Sequence, residues 1–203
     1  MNGPARDPHR RARLVSHLAG FAPLAYLAWR AFDDGFGPNP VETITRVAGR
    51  SALALLVATV ACTPAATVLG QRAAITVRRA LGLYAFAWAA VHLGVFVGLD
   101  YGFDWALIQA DALPRKPHIV VGAAALAILA ALALTSTRSW QQRLGTRWKG
   151  LHSAVYVAAA LAVLHYVWVV KALTVGPILT AAVVLVLFAL RIPAFRDATA
   201  RAV

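Results

Sequence analysis

The sequence predicts an all-α fold, a bundle of six transmembrane helices with both termini in the cytoplasm. Apolar residues make up 60% of the 203 residues and charged residues only 14%. The apolar residues come in blocks long enough to cross a bilayer, which takes about 20 residues as α-helix. Short segments rich in charge, Gly and Pro separate the blocks, as is typical of loops. The Lys and Arg residues favour alternate loops, the pattern that orients membrane proteins.

The six predicted spans follow one another with clear loop sequences between them. The first follows the basic string RDPHRRAR, and because no small-residue cleavage site comes after it, we interpret it as a retained helix and not as a signal peptide. No internal repeat stands out. The loops are DDGFGPNP, GQRAAITVRR, DYGFDWALIQADALPRKP, TSTRSWQQRLGTRWKG and KALTVGP. The predicted spans are 14–32, 49–69, 80–99, 118–135, 151–170 and 177–192, preceded by a basic cytoplasmic leader (1–13) and followed by a short cytoplasmic tail (193–203).

Loop charge predicts the orientation of these spans. The N-terminus, the 70–80 loop, the 136–150 loop and the C-terminus together hold 14 of the 20 Lys and Arg residues. Positive charge marks the cytoplasmic side. A net charge of +12 would also suit a nucleic-acid-binding protein. Because the basic residues lie in short loops between apolar blocks, we exclude nucleic acid and expect the lipid bilayer as the partner.

The single cysteine limits the kinds of metal site that the chain can form. One cysteine, Cys62, excludes an internal disulfide and any zinc or iron–sulfur site made of several cysteines. It lies inside an apolar block, which is typical of a small core residue.

Two histidines lie at matching depths in otherwise apolar spans. His92 is seven residues before the outer end of the third predicted span, and His165 is five residues before the outer end of the fifth. At about 1.5 Å per residue, their heights agree within a few Å. Two imidazoles on neighbouring helices can hold one iron as axial ligands, with a flat haem between the helices. A structural, hydrogen-bonded role is the alternative for each of them.

A third histidine, His152, is predicted near the cytoplasmic boundary. It lies thirteen residues before His165, about 20 Å lower on the same helix and about 140° around it. A straight helix would not aim both rings at one site, so either a bulge corrects the angle or His152 serves another site. A cytoplasmic basic group is expected beside it: Arg78, Arg79, Arg147 and Lys149. This group either provides orientation charge and lipid contact or docks a flavin phosphate or a partner's acidic face.

Several strings resemble one known family. The segments RRALGLYAFAWAAVH, LDYGFDW, RKPHIVVG and above all LALTSTRSWQQRLGTRWKGLHSAVYVAAALAVLHYVWVVK are similar to the haem-binding membrane subunits of periplasmic methionine-sulfoxide reductase systems, the MsrQ family. That family belongs to the wider ferric-reductase-like transmembrane group. The resemblance covers about residues 48 to 191, and the two-histidine string of the fifth span is its most specific part.

The resemblance implies a function in electron transfer. Family members are six-span proteins of the bacterial inner membrane that carry haem b, with flavin mononucleotide (FMN) as a possible second cofactor. Electrons come from the quinol pool or a cytosolic flavin reductase and go to a periplasmic molybdopterin-containing methionine-sulfoxide reductase catalytic subunit, which reduces the substrate. The family's histidines match His92, His152 and His165, so residues 14–192 would form the haem-binding domain. Ser153 stands where the family pattern has arginine, and His118 where it has tyrosine.

Two other function classes remain open at this point. The first is a ferric or quinone reductase of the same architecture, which only the electron acceptor distinguishes. The second is a membrane transporter or scaffold without a cofactor. Proton-coupled carriers usually place carboxylates at membrane depth, and no acidic residue lies inside any predicted span. The acids Asp100, Asp104 and Asp111 are instead predicted on the outer side, where a periplasmic partner would dock.

Overall fold

The computed structural model describes residues 8–33, 35–170 and 174–192, and every regular element within these ranges is a helix. The prediction of an all-α fold is therefore confirmed. The predicted tail (193–203) and the first seven residues lie outside the described residues, while residues 8–13 of the predicted leader form the first turns of a helix. The six long helices are α1 (Pro8–Phe32), α2 (Pro40–Thr67), α3 (Ala73–Val95), α4 (Pro117–Leu134), α5 (Val155–Val170) and α6 (Val175–Ala189).

Four helical stretches in the described ranges are long and apolar enough to cross a membrane. They are Pro40–Thr67, Ala73–Asp100, Pro117–Leu134 and Arg147–Val170, and α6 is a shorter apolar helix. The chain is thus an all-α, multi-pass membrane protein. The first helix is 25 residues long, but His17, Pro23 and Arg30 lower its apolar character. A count of six spans and the sidedness of the termini stay predictions.

The second helix begins nine residues before its predicted start, at Pro40 instead of residue 49. The side chain of Asn39 accepts a hydrogen bond from the Glu42 main-chain N–H at 3.1 Å, and Pro40 occupies the first helical position. Both residues favour helix starts, because a cap satisfies an unpaired N–H and Pro has none to leave unpaired. Glu42 therefore lies in the first turn, where it pairs with Arg46.

The segment between α3 and α4 is also largely helical. A π-helical turn, Phe96–Asp100, continues α3, and short helical pieces at Trp105–Leu107, Ile108–Ala112 and Leu113–Arg115 lead to α4. Asp104 caps the first piece, because its carboxylate accepts a hydrogen bond from the Leu107 N–H at 2.9 Å. Asp111 accepts hydrogen bonds from the Tyr101 hydroxyl at 3.0 Å and from Lys116 Nζ at 3.2 Å. Two of the three acids predicted for partner docking therefore also hold this segment together.

Small residues form much of the core between α2, α3, α4 and α5. Small residues let transmembrane helices approach closely, which increases their van der Waals contact. Cys62 is 4% exposed, so the prediction of a small core residue is confirmed. The fully buried alanines of this core, each at 0% exposure, are Ala48, Ala85, Ala158 and Ala159.

The first helix packs against α3 through a buried hydrogen bond. Trp88 on α3 is 8% exposed, and its indole N–H donates to the Gly20 carbonyl of α1 at 2.9 Å. A methyl group on Gly20 would lie 2.5 Å from the Tyr84 ring, so α1 and α3 are in close contact there. Trp88 lies too deep to be an interfacial anchor, and its contact with α1 explains its position.

Candidate functional site

His92 of α3 lies against α2, where its ring makes a hydrogen bond to the main chain and a glycine leaves room for it. Its Nδ1 lies 2.9 Å from the Thr45 carbonyl oxygen. A carbonyl has no proton to give, so Nδ1–H is the donor and Nε2 keeps its lone pair. A methyl group on Gly49, one helical turn after Thr45, would lie 2.9 Å from the same Nδ1. The ring therefore lies directly over a glycine.

His165 of α5 is held against α4 in the same way. Its Nδ1 lies 2.6 Å from the His118 carbonyl oxygen, which makes Nδ1–H the donor again. A methyl group on Gly122 would lie 2.7 Å from that Nδ1. A hydrogen bond from the second ring nitrogen to a main-chain carbonyl is the usual way in which a metal-binding imidazole is oriented.

The two rings lie side by side in the bundle. Their centres are 6.0 Å apart, and their planes meet at 86°. Because a metal–imidazole bond is about 2 Å long, two rings at this separation are close enough to hold one ion between them when both Nε2 atoms are directed at it. Both rings are half-buried. Two imidazoles on neighbouring helices are also a donor set that can hold haem iron, so the residues present fit that group.

A third ring lies beside this pair. His118, at the first turn of α4, has its ring centre 5.8 Å from that of His165, with 55° between the planes. Its carbonyl is the one that orients His165. The structure thus brings together His92, His165 and His118, while the ligand role predicted for the first two stays a prediction.

His152 lies apart from the histidine pair because it comes thirteen residues before His165, which is about 20 Å of helical rise. The piece Arg147–Ser153 ends at Ala154, whose N–H bonds to the Leu151 carbonyl three residues back, and α5 begins at the next residue. His152 Nε2 lies 3.2 Å from the Thr135 hydroxyl. The sequence left open whether a bulge turns His152 toward the site of His165 or whether His152 serves another site. The arrangement corresponds to the second possibility.

His152 lines a cavity of about 480 Å³ at the end of the bundle that carries Arg78, Arg79 and Lys149, called the basic end below. Trp148 stacks on His152 with ring centres 4.0 Å apart and 25° between the planes, and its indole N–H donates to the Thr135 carbonyl at 3.0 Å. Apolar residues of α2 and α4 form the floor: Leu56, Val60, Leu129 and Leu132.

Basic side chains surround the cavity. Arg78 Nη1 donates to the Thr63 hydroxyl at 3.3 Å, and the Arg191 guanidinium lies 4.7 Å from the centre of the Tyr156 ring. No acidic residue is among the described residues that line the cavity. The cavity therefore combines positive charge and an aromatic surface with an apolar floor, which favours a planar ligand that carries negative charge.

Sequence reasoning missed the residues that hold the imidazoles, because main-chain carbonyls and glycines carry no side-chain signal. The sequence does carry one weak signal of these residues, a constant spacing between the two hairpins. Thr45, Gly49 and His92 each precede their counterparts His118, Gly122 and His165 by 73 positions. The pairs Ala52 and Ala125, and Leu56 and Leu129, keep the same spacing and are all buried. The α2–α3 and α4–α5 hairpins are thus two versions of one unit, although no repeat stands out in the sequence.

Comparison with known proteins agrees with this architecture. Residues 48–163 match the family described as "Ferric reductase like transmembrane component". The proteins of Salmonella paratyphi B, Salmonella newport and Salmonella heidelberg named protein-methionine-sulfoxide reductase heme-binding subunit MsrQ are each 41% identical to this chain over 185 residues, which are 91% of this chain and 93% of the relative. The matched family region contains the α2–α3 hairpin core, α4 and most of α5. The chain therefore belongs to the MsrQ family, within the ferric-reductase-like transmembrane proteins.

Proposed function

We propose that this chain is the haem-binding membrane subunit of a methionine-sulfoxide reductase system. In this proposal it passes electrons from the quinol pool or a cytosolic flavin reductase to a periplasmic molybdopterin-containing methionine-sulfoxide reductase, which reduces the substrate. The observation that carries the proposal is the His92–His165 pair, whose ring centres lie 6.0 Å apart. The name of the relatives that are 41% identical to this chain supports the proposal.

His92 and His165 would hold the haem iron, each through Nε2. A b-type haem held there would supply reversible one-electron transfer. The protein orients the two imidazoles. The carbonyls of Thr45 and His118 accept the Nδ1–H bonds, fix the tautomer and raise the basicity of each ligand.

The proposed setting is the bacterial inner membrane, with six spans and both termini in the cytoplasm. Under the positive-inside rule the basic end faces the cytoplasm, and the histidine pair lies toward the periplasm. An electron leaving the pair then has the shorter distance to a partner docked on the periplasmic face, at the segment that carries Asp100, Asp104 and Asp111. Electron entry would lie at the opposite end.

Replacement of the ligands tests the haem site. We expect His92→Ala and His165→Ala each to abolish the low-spin haem spectrum of the detergent-purified protein, because one missing imidazole leaves the iron without an axial ligand. Pyridine-hemochrome quantitation gives the haem per chain. His17→Ala, which removes an exposed histidine of α1, is the matched control and should keep the spectrum. Normal spectra in both ligand variants would refute the proposed site.

The electron acceptor distinguishes the proposed function from a ferric or quinone reductase. Chemically reduced protein should be reoxidised rapidly by the periplasmic molybdenum enzyme in the presence of methionine sulfoxide. Chelated ferric iron and quinone should reoxidise it much more slowly. The reverse order of rates would make the chain a ferric or quinone reductase of the same architecture.

We also propose that the basic-end cavity is the site of electron entry, where FMN or the quinol head group binds between Arg78, Arg79 and His152. The stacked Trp148, the basic rim and the apolar floor support this assignment. Arg78→Ala/Arg79→Ala should lower FMN or quinol-analogue binding at least tenfold while the haem per chain stays constant. Arg143→Ala, outside the cavity and over Trp140, is the matched control. Unchanged binding in the double variant would exclude the site.

A further inference from the structure

We infer that Gly49 and Gly122 are the positioning residues of the haem site, and that each holds one histidine ring in place because it has no side chain. The inference rests on the proposed function, because it assigns His92 and His165 to the haem iron. It concerns residues that touch the imidazoles and do not themselves bind the iron.

The contacts leave no room for any side chain at these two positions. A Cβ atom on Gly49 would lie 2.9 Å from His92 Nδ1 and 3.1 Å from Cε1, and one on Gly122 would lie 2.7 Å and 2.9 Å from the same atoms of His165. Carbon atoms in favourable contact are about 3.5–4.0 Å apart. Either ring would have to move away from its neighbouring helix to accept a methyl group.

That movement would break the hydrogen bond that orients the ring. The acceptor carbonyls belong to Thr45 and His118, each one helical turn before the glycine on the same face of the helix. The ring can approach its carbonyl only because the next turn presents a bare Cα. A displaced ring therefore loses its Nδ1–H bond and carries Nε2 away from its place opposite the other imidazole.

The same arrangement occurs twice, once in each hairpin. Each glycine precedes its histidine by 43 positions, and each carbonyl precedes it by 47. Not every glycine of these helices is in such contact: Gly94, on α3 two residues after His92, has no atom within 4 Å of the place that its Cβ would occupy. Within α2, α3, α4 and α5, only the two glycines that face a histidine would place a Cβ atom closer than 3.0 Å to a neighbouring side chain.

Alanine substitutions test the inference directly. Gly49→Ala and Gly122→Ala should each lower the haem per chain at least several-fold. Haem that remains should have a more positive midpoint potential, because an imidazole without its Nδ1–H bond is a weaker donor to ferric iron. The anisotropy of the ferric EPR signal, which depends on the angle between the imidazole planes, should also change. Gly94→Ala is the matched control and should keep all three properties.

The outcomes separate this inference from the proposed function. Alanine normally favours a helix over glycine, so a loss at residue 49 or 122 does not come from helix propensity. Wild-type haem content, potential and EPR signal in both variants would overturn the positioning role. If the histidine variants lose the haem in the same experiments, the proposed function stands without the positioning role of the glycines.

A second comparison applies if an alanine variant fails to accumulate. In Gly49→Ala/His92→Gly the tethered ring that meets the methyl group is gone. Free imidazole in the buffer can supply the ligand, because it is not tied to α3 and can shift away from the methyl group. We expect this double variant to regain low-spin haem with imidazole as fully as His92→Gly does. Recovery in His92→Gly alone would show that the methyl group damages helix packing and not the ring position, and would overturn the inference.

Discussion

At the residue scale, the hydrogen-bond partners of the histidine rings distinguish one candidate site residue from another. His92 and His165 each have one nitrogen committed to a main-chain carbonyl, at 2.9 Å and 2.6 Å, and one left for another partner. His152 is different, because its Nε2 contacts the Thr135 hydroxyl, which donates its own proton to the Ala131 carbonyl at 2.7 Å. Three histidines that look alike in an apolar sequence therefore have two kinds of environment.

A residue-scale prediction concerns Trp88, which the proposed electron path does not use. Trp88→Phe removes the indole N–H and leaves the buried Gly20 carbonyl with only the main-chain hydrogen bond of its helix. Loss of one hydrogen bond costs about 0.5–1.5 kcal/mol, so we expect the free energy of unfolding to fall by that amount. Thermal unfolding of the detergent-solubilised protein measures it. Trp105→Phe, at a side chain that is 62% exposed, should cause no comparable loss, and equal stability of the two variants would contradict the prediction.

At the element scale, the position of a residue along its helix decides which site it reaches. His152 comes thirteen residues before His165, about 20 Å of helical rise, so His152 lines the basic-end cavity while His165 lies beside His92. The segment between α3 and α4 is held by a small polar network. Tyr101 and Lys116 donate to Asp111, and the Lys116 ammonium also donates to the Tyr101 hydroxyl at 2.8 Å.

This network predicts a pH dependence of the segment. The hydrogen bond from Tyr101, and then that from Lys116, lowers the pKa of Asp111 below its usual range. A lowered carboxyl pKa means that the network is fully present above the pKa of the unfolded chain and is lost only as the pH falls through the lower, folded value. Tyr101→Phe should raise the pKa of Asp111, so the segment should loosen at a higher pH.

An acid titration monitored by the NMR signal of the Asp111 side chain measures that change. Tyr26→Phe, at an exposed tyrosine of α1, is the control and should leave the titration unchanged. An identical Asp111 titration in Tyr101→Phe and wild-type protein would show that the hydroxyl does not control this carboxyl.

At the scale of the whole molecule, charge asymmetry and the position of the two sites point to one direction of electron flow. The cavity lies at the end with Arg78, Arg79 and Lys149, and the histidine pair lies toward the end with Asp111. In the proposed orientation these are the cytoplasmic and periplasmic ends. The four central helices carry both sites, so one core would connect the proposed electron entry with the proposed electron exit.

The orientation can be measured with single cysteines. Cys62 is buried, so a Cys62→Ala background accepts one exposed reporter at a time. Gln109→Cys, in the segment between α3 and α4, should react with a membrane-impermeant maleimide in intact spheroplasts. Gln142→Cys, in the short helix between α4 and α5, should react only after lysis. The opposite labelling pattern would reverse the proposed sidedness.

The sequence predicted the fold class because long apolar blocks have few alternatives in a bilayer, where every main-chain polar group needs an internal partner. Helix starts were harder to predict. The second helix begins at Pro40, where Asn39 supplies a cap, in a stretch whose Gly and Pro content indicates a loop. Local capping outweighed composition there, and hydropathy carries no information about capping.

The sequence by itself determined that this is an all-α membrane protein and that His92 and His165 lie at nearly one depth, because hydropathy and helical rise fix the height of a residue along the membrane normal. Only the tertiary structure decided which helices pair, how the rings turn, and that His152 belongs to a separate cavity. Those properties depend on main-chain carbonyls and on glycines that make room for a ring. None of these produces a side-chain pattern, because each acts through the backbone or through the absence of atoms.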